Sequence, residues 1–330
     1  MKLYRTNGNN EFEITESDAS WEPGLVKLKI STILPTMTDI FVYQGKMNIN
    51  YPVVPCRAAT AIVSEDRPEY GLKRGAKVII NPYILSSADE EGYARIATYG
   101  IEADGFLRDF VALPPENLIP FPEEVKEEEG VFTDIVALAL AAINSFNLEK
   151  GDYIAVIGGS ILSNLICQLA LYYQAIPIYI FSDERHLSIA EKCGIFYTVN
   201  ETKEDTYQRV LNITGGRLAD HTILHAKSGV SPNFLYTLCA RGGDCTIVSF
   251  SPILPRLETD IGIISQKQLT VRGVSCGLDE INSAVNMIAQ KYLKFAQFID
   301  KRATLEEAPE VFAEMSDDPL IYVCPIIKVL

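Results

Sequence analysis

Polar and apolar positions follow one rhythm in the first third of the chain and another in its middle. "GLVKLKIS" alternates with the period of a half-buried strand, and "GAKVIINPY" and "DFVALP" are short β-rich runs closed by Gly or Pro. "NYPVVPCRAATAIVSE" and "ENLIPFPEEV" are punctuated by proline and read as extended chain. Near Val125 the pattern changes. "EEEGVFTDIVALALAAINSFNLEKG" reads as one helix, acidic in its first turn and followed by Gly151. Continuous apolar runs then alternate with helical ones. "DYIAVIGG", "IPIYIF", "FYTVN", "DHTILHA" and "CTIVSF" read as strands, and "SNLICQLALYYQ", "DERHLSIAEKCG", "EDTYQRVLNITGG" and "SPNFLYTLCARGG" as helices. Strands apolar along their whole length belong to a parallel sheet covered on both faces. The tail adds two helices, "GLDEINSAVNMIAQKYL" and "TLEEAPEVFAEMS", and a closing strand in "IYVCPIIKVL". The fold class is therefore α/β, with a doubly wound nucleotide-binding unit at its centre.

Bulk properties narrow the partners. A length of 330 residues suits two domains, and 48% hydrophobic residues exclude a disordered chain. A formal net charge of −14 argues against nucleic acid, whose phosphates need a basic surface. The start "MKLYRTNGNNEFEITE" lacks the apolar core of a signal peptide, and no apolar run is long enough to cross a bilayer, so a cytoplasmic protein without membrane contact is expected. The seven cysteines have no C-x-x-C spacing and sit mostly in apolar runs, as buried reduced thiols do.

The ordered set "VKLKIS…TDIFVYQGK…YPVVP", "KRGAKVIINPY", "GFLRDFVALPPENLIPFPEEV", "NLEKGDYIAVIGG", "AEKCG", "ITGGRLAD" and "LTVRG" resembles the medium-chain dehydrogenase/reductase superfamily, in its zinc-type alcohol and polyol dehydrogenase branch. The resemblance implies a β-rich GroES-like catalytic domain formed by both chain ends, 1–121 and 277–330, around a Rossmann domain at 122–276. It also implies NAD or NADP as cofactor and association into a homodimer or homotetramer. The stretch from "DCTIVSFSP" to "KQLTVRGV" is the expected seam.

Against that family pattern the zinc ligands are missing. The cysteine position falls on Thr36, the "GHE" histidine stretch on Cys56, Arg57 and Ala58, and the third ligand on Thr133, with Asp134 beside it. The stretch matching the structural-zinc lobe, "ILSSADEEGYARIATYG", has no cysteine. Zinc needs thiolate, imidazole or carboxylate donors, so neither zinc is expected. Asp39 remains, and a charge pair between Asp39 and Arg57 becomes possible. Arg57 then either polarises a substrate oxygen or fills the vacated metal site as a salt bridge. Thr38 matches the family hydroxyl that meets the substrate. The next relay position is Phe41, and Tyr43 matches a common family tyrosine.

The strand-to-helix turn departs from G-x-G-x-x-G as well. Gly158 is kept, Ser160 and Ser163 replace the second and third glycines, and Gly159 stands between. The helix N-terminus behind them still offers N–H groups to a pyrophosphate. At the end of the next strand the ribose acid falls on Phe181, with Asp183 two residues on, which slightly favours NAD. Arg185 and His186 could instead meet a 2′-phosphate. His225, Lys227 and "SFSP" (249–252) end later strands. Two functions stay open. One is a zinc-independent NAD(P)-dependent oxidoreductase for a small polar alcohol or carbonyl substrate, using Thr38, Asp39 and Arg57. The other is a non-catalytic relative that kept the fold for binding or scaffolding.

Overall fold

The computed structural model describes residues 2–16, 22–85, 96–225, 232–248 and 258–330. The chain divides into two compact units, one of residues 1–134, 288–290 and 299–330, the other of residues 135–287 and 291–298.

The first unit is built on a seven-stranded sheet. Its path runs Lys301–Thr304, Pro325–Lys328, Val26–Leu34, Ala58–Val63, Lys77–Ile80, Leu118–Pro120, and Phe110–Leu113 pairs with Val26–Leu34 off that path. All its pairings are antiparallel except that between the two C-terminal strands. The chain end thus closes a sheet begun by the N-terminal part. The alternation in "VKLKIS" puts Val26, Leu28 and Ile30 into the core with Val78, Phe106 and Phe312, while Lys27 and Lys29 face outward.

The second unit holds a six-stranded, wholly parallel sheet. Its order is Tyr197–Asn200, Ile176–Phe181, Tyr153–Ile157, Ala219–His225, Cys239–Val248, Thr270–Val274. The order reverses direction between Tyr153–Ile157 and Ala219–His225, which is the switch point where such sheets receive ligands. Central strands are buried on both faces, which is why Ile154 to Ile157 carry no polar side chain. The helix Ile161–Tyr172 follows directly, and every residue from Leu162 to Ala170 is buried.

Local outcomes differ from the sequence pattern at several places among the described residues. The run "TMTDIFVY" forms a short helix, Met37–Tyr43, that alternation alone did not announce. The long helix near Val125 is two, Glu127–Gly130 and Thr133–Ile143, with the Thr133 hydroxyl donating to the Gly130 carbonyl at 2.8 Å across the break. The helix in "SPNFLYTLCARGG" is described as Pro232–Leu238, and Cys239 already belongs to a strand because it pairs with Ala219. A strand, Lys301–Thr304, precedes the last helix, Ala308–Asp317.

Gly158 ends the central strand at φ +143°, and a Cβ there would stand 2.5 Å from the His225 carbonyl oxygen. Both conformation and space demand glycine. Gly158→Ala is expected to destabilise the protein by about 1–3 kcal/mol, read as a lowered urea midpoint. An unchanged midpoint would contradict the tight turn.

Candidate functional site

In the first unit, residues at or beside the positions matching the family's ligands come together, while Thr133 itself turns its hydroxyl to the Gly130 carbonyl. Thr36 precedes the helix Met37–Tyr43, Cys56 and Arg57 precede the strand Ala58–Val63, and Asp134 lies in the first turn of Thr133–Ile143. The backbone at Cys56 is left-handed, φ +72°, which is strained for a residue with a Cβ. Two glycines permit it. A Cβ on Gly105 would meet the Cys56 carbonyl oxygen at 2.3 Å, and one on Gly100 would meet the Cys56 carbonyl carbon at 2.9 Å. The same turn sends the Cys56 side chain into the core and leaves Arg57 partly exposed, so the thiol does not join the cluster. Burial, with Asp39 nearby, pushes the Cys56 thiol well above its ordinary range.

The ion pair that forms is Arg57–Asp134. Arg57 Nε stands 3.0 Å from Asp134 Oδ2, with side chains only 17% and 3% exposed. The N–H is not aimed along that line, so charge more than a directed hydrogen bond holds the contact. Asp134 Oδ1 accepts from the Tyr83 hydroxyl at 2.7 Å. Asp39, a possible partner of Arg57, makes its hydrogen bonds elsewhere. Its Oδ2 accepts from the Thr36 N–H and hydroxyl, each at 2.7 Å, and its Oδ1 from the Cys56 N–H at 3.0 Å. Fully buried, Asp39 ties the two segments together. Burial pushes its carboxyl upward, against the pull of the Thr36 bonds, the Arg57 charge and the Cys56 N–H. Thr38 is half-buried in the first turn of its helix, and its hydroxyl makes no hydrogen bond among the described residues. Tyr43 is buried and donates to the Asn10 carbonyl.

In the second unit Gly158, Gly159, Ser160 and Ser163 form the turn at the switch point. Ser160 caps the helix Ile161–Tyr172, its hydroxyl accepting the Ser163 N–H at 3.1 Å. Ser160 Oγ also lies 3.0 Å from Ser163 Oγ and 2.7 Å from His225 Nδ1. Asp183 is held by Arg185, whose backbone N–H reaches Oδ1 at 3.0 Å while Nε and NH2 reach Oδ2 at 2.9 and 2.6 Å. These bonds keep the Asp183 carboxyl below the usual carboxylate range. His186 is buried, with Nδ1 3.0 Å from the Tyr179 hydroxyl, so it does not face a ribose phosphate from solvent. The remaining histidine, His221, sits at the other end of the same strands between Asp152 and Asp244, at 3.1 and 3.3 Å. Lys227, residues 249–252 and residues 86–95 of the lobe stretch lie outside the described residues.

Three contacts at these positions are not announced by the sequence pattern. Asp134 was one position from a matched ligand, and the signal was a permanent cation at Arg57 needing an acid. Tyr83 and the Ser160–His225 contact join residues 51 and 65 positions apart, which no local pattern announces.

Two family models match the chain. The alcohol dehydrogenase GroES-like domain matches residues 22–123 and the zinc-binding dehydrogenase domain residues 162–290. The chain belongs to the medium-chain dehydrogenase/reductase superfamily. Within that superfamily it is an alcohol dehydrogenase-like oxidoreductase. An uncharacterised zinc-type alcohol dehydrogenase-like protein of Haemophilus influenzae is 25% identical over 76% of this chain and 75% of its own. The (R,R)-butanediol dehydrogenase of Bacillus subtilis is 22% identical over 94% of both. Among solved structures, a proposed zinc-binding dehydrogenase from Sinorhizobium meliloti, bound to NADP, superposes with TM-score 0.88 at 20% identity, covering 99% of this chain and 98% of that one. The Bacillus subtilis 2R,3R-butanediol dehydrogenase structure gives 0.87 at 19%, covering 100% and 99%. No helix among the described residues of this superfamily member is long and apolar enough to cross a membrane, and all seven cysteines are unpaired.

A buried pair resists losing one partner more than losing both. Asp134→Leu alone is expected to cost about 3–5 kcal/mol because it removes the carboxylate 3.0 Å from the mostly buried Arg57 guanidinium. Adding Arg57→Met should restore most of that loss. Chemical denaturation of the single and double variants checks it, and additive losses would contradict the pairing.

Proposed function

We propose that the chain is an NAD(P)-dependent oxidoreductase acting on a small polar alcohol or carbonyl substrate without zinc. The observation that carries this reading is Arg57, at a matched ligand position, paired with Asp134, the neighbour of another. The donor set there does not fit a zinc ion. Thr36 offers a hydroxyl that already donates to Asp39, Arg57 is a cation, and the Asp134 carboxylate is shared between Tyr83 and Arg57. Cys56 holds a buried, protonated thiol. No step is therefore routed through a metal.

The turn does fit a dinucleotide. Gly158 allows the close strand-to-helix passage, and Gly159, Ser160 and Ser163 frame a helix N-terminus whose first N–H groups would hold the pyrophosphate. When bound, the nicotinamide ring supplies or accepts the hydride. Arg57 stabilises negative charge on the substrate oxygen, as a preorganised cation does in a dry site. It is always protonated, so it serves electrostatics and not proton transfer. Thr38 donates its hydroxyl to the same oxygen, and with Phe41 at the next relay position the proton that the reaction takes up or releases is exchanged with solvent at the half-buried Thr38. Asp134 and Tyr83 hold Arg57 in place, and Asp39 positions the two segments that carry Thr38 and Arg57. Relatives named for butanediol support a polyol-like substrate.

Asp183, the group on which a preference for NAD would rest, is taken by Arg185, so NAD and NADP are left to be ranked by titration. A homodimer or homotetramer through the strand Thr270–Val274 is supported by its place at the end of the described sheet and its exposed Thr270, Val271, Arg272 and Gly273. Unpaired thiols throughout support a cytoplasmic location.

Titration of the purified protein with NADH and NADPH, followed by cofactor fluorescence, is expected to saturate for at least one of them. With that cofactor and a panel of small polyols, Arg57→Met should lower turnover by about 100- to 1,000-fold while leaving cofactor affinity unchanged. No binding of either nucleotide at millimolar levels would overturn the proposal.

A further inference from the structure

Two of the chain's three histidines converge on Ser160. Its hydroxyl oxygen lies 2.7 Å from His225 Nδ1, and its carbonyl accepts from the Tyr179 hydroxyl at 3.3 Å, which in turn meets His186 Nδ1 at 3.0 Å. His225 is fixed beside the turn, because its own carbonyl is the group that leaves no room for a Cβ on Gly158. A serine hydroxyl has one proton to give and two lone pairs. The Ser163 N–H takes one lone pair. The proton and the second lone pair are left to His225 Nδ1 and Ser163 Oγ, at 2.7 and 3.0 Å.

The geometry points to Ser160 and His225 as a paired anion contact for the dinucleotide pyrophosphate, at the place where a second glycine would offer backbone alone. This rests on the nicotinamide-binding reading above. In the free chain the Ser160 proton goes to His225 Nδ1. An anion at the helix N-terminus competes for that proton, because charge-assisted hydrogen bonds are about twice as strong as neutral ones. The hydroxyl then donates to the phosphate oxygen. The imidazole keeps its single proton but moves it from Nε2 to Nδ1, and Nδ1 donates into the lone pair of Ser160. No proton is gained or lost, and the Ser163 hydroxyl yields its place on Ser160 to the imidazole N–H and turns to the anion. The serine that breaks the glycine pattern thereby adds a donor to the pyrophosphate site.

Nitrogen NMR of labelled imidazoles tests this on the whole protein, since three histidines give few signals and His225→Gln identifies one of them. With ADP-ribose as the probe, His225 Nδ1 is expected to change from acceptor to donor type as the protein saturates. His225→Gln and Ser160→Ala should each weaken ADP-ribose about ten-fold, the size of one hydrogen bond to a charged group, with melting curves confirming that both fold. Ser160→Gly, which reinstates the glycine, should bind ADP-ribose with a silent His225 signal. Saturation by ADP-ribose with the wild-type His225 signal unmoved, or wild-type affinity in both weakened variants, overturns the pairing and leaves the cofactor reading intact. Failure of NADH, NADPH and ADP-ribose to bind the wild-type protein overturns the reading and the pairing together.

Discussion

The Arg57–Asp134 ion pair is the constraint around which the first unit's site is arranged. Two charges that are mostly withdrawn from water must neutralise each other, since an isolated buried ion costs several kcal/mol. Once Arg57 is held there, its neighbours have assigned tasks. Tyr83 fixes the far oxygen of Asp134, the left-handed turn at Cys56 keeps the thiol away, and Gly100 and Gly105 make room for that turn. Asp39 then holds Thr36 and Cys56 together from beneath. A divalent ion and a guanidinium are both positive centres. In this reading the exchange of one for the other keeps the electrostatic role and gives up coordination.

The second unit solves a related problem with neutral groups. Its glycine turn has been partly rebuilt from serines, which satisfy backbone donors of the helix Ile161–Tyr172 that a bare glycine would leave open. The cap costs little conformational strain, because Ser160 adopts the extended backbone of an ordinary N-cap. Gly158 could not be replaced in the same way, since its φ and the His225 carbonyl both forbid a side chain.

Much of the fold was legible in the chain. Uninterrupted apolar runs marked the parallel sheet, and alternation marked the half-exposed antiparallel one. The short helix Met37–Tyr43 escaped because seven residues give too few turns for a 3.6-residue period, although Thr36 and Asp39 carry the spacing of a helix start. Position in the site was half legible. Arg57 and Thr38 stood out against the family pattern, and Ser160 could be placed as a cap. Pairing was not legible, because a pair is set by tertiary proximity. Asp39 and Asp134 are both acids near Arg57, and only the folded backbone decides that Asp134 takes the ion pair while Asp39 is consumed by Thr36 and Cys56. The same holds for Asp183, which looked available to a ribose until Arg185 was seen to occupy it.

Metal content measures the exchange of ion for guanidinium most directly. Protein equilibrated with a zinc salt, freed of excess by gel filtration and analysed by elemental mass spectrometry should carry no stoichiometric zinc while Arg57 and Asp134 are intact. One zinc retained per chain, lost on Asp134→Ala, would contradict the account.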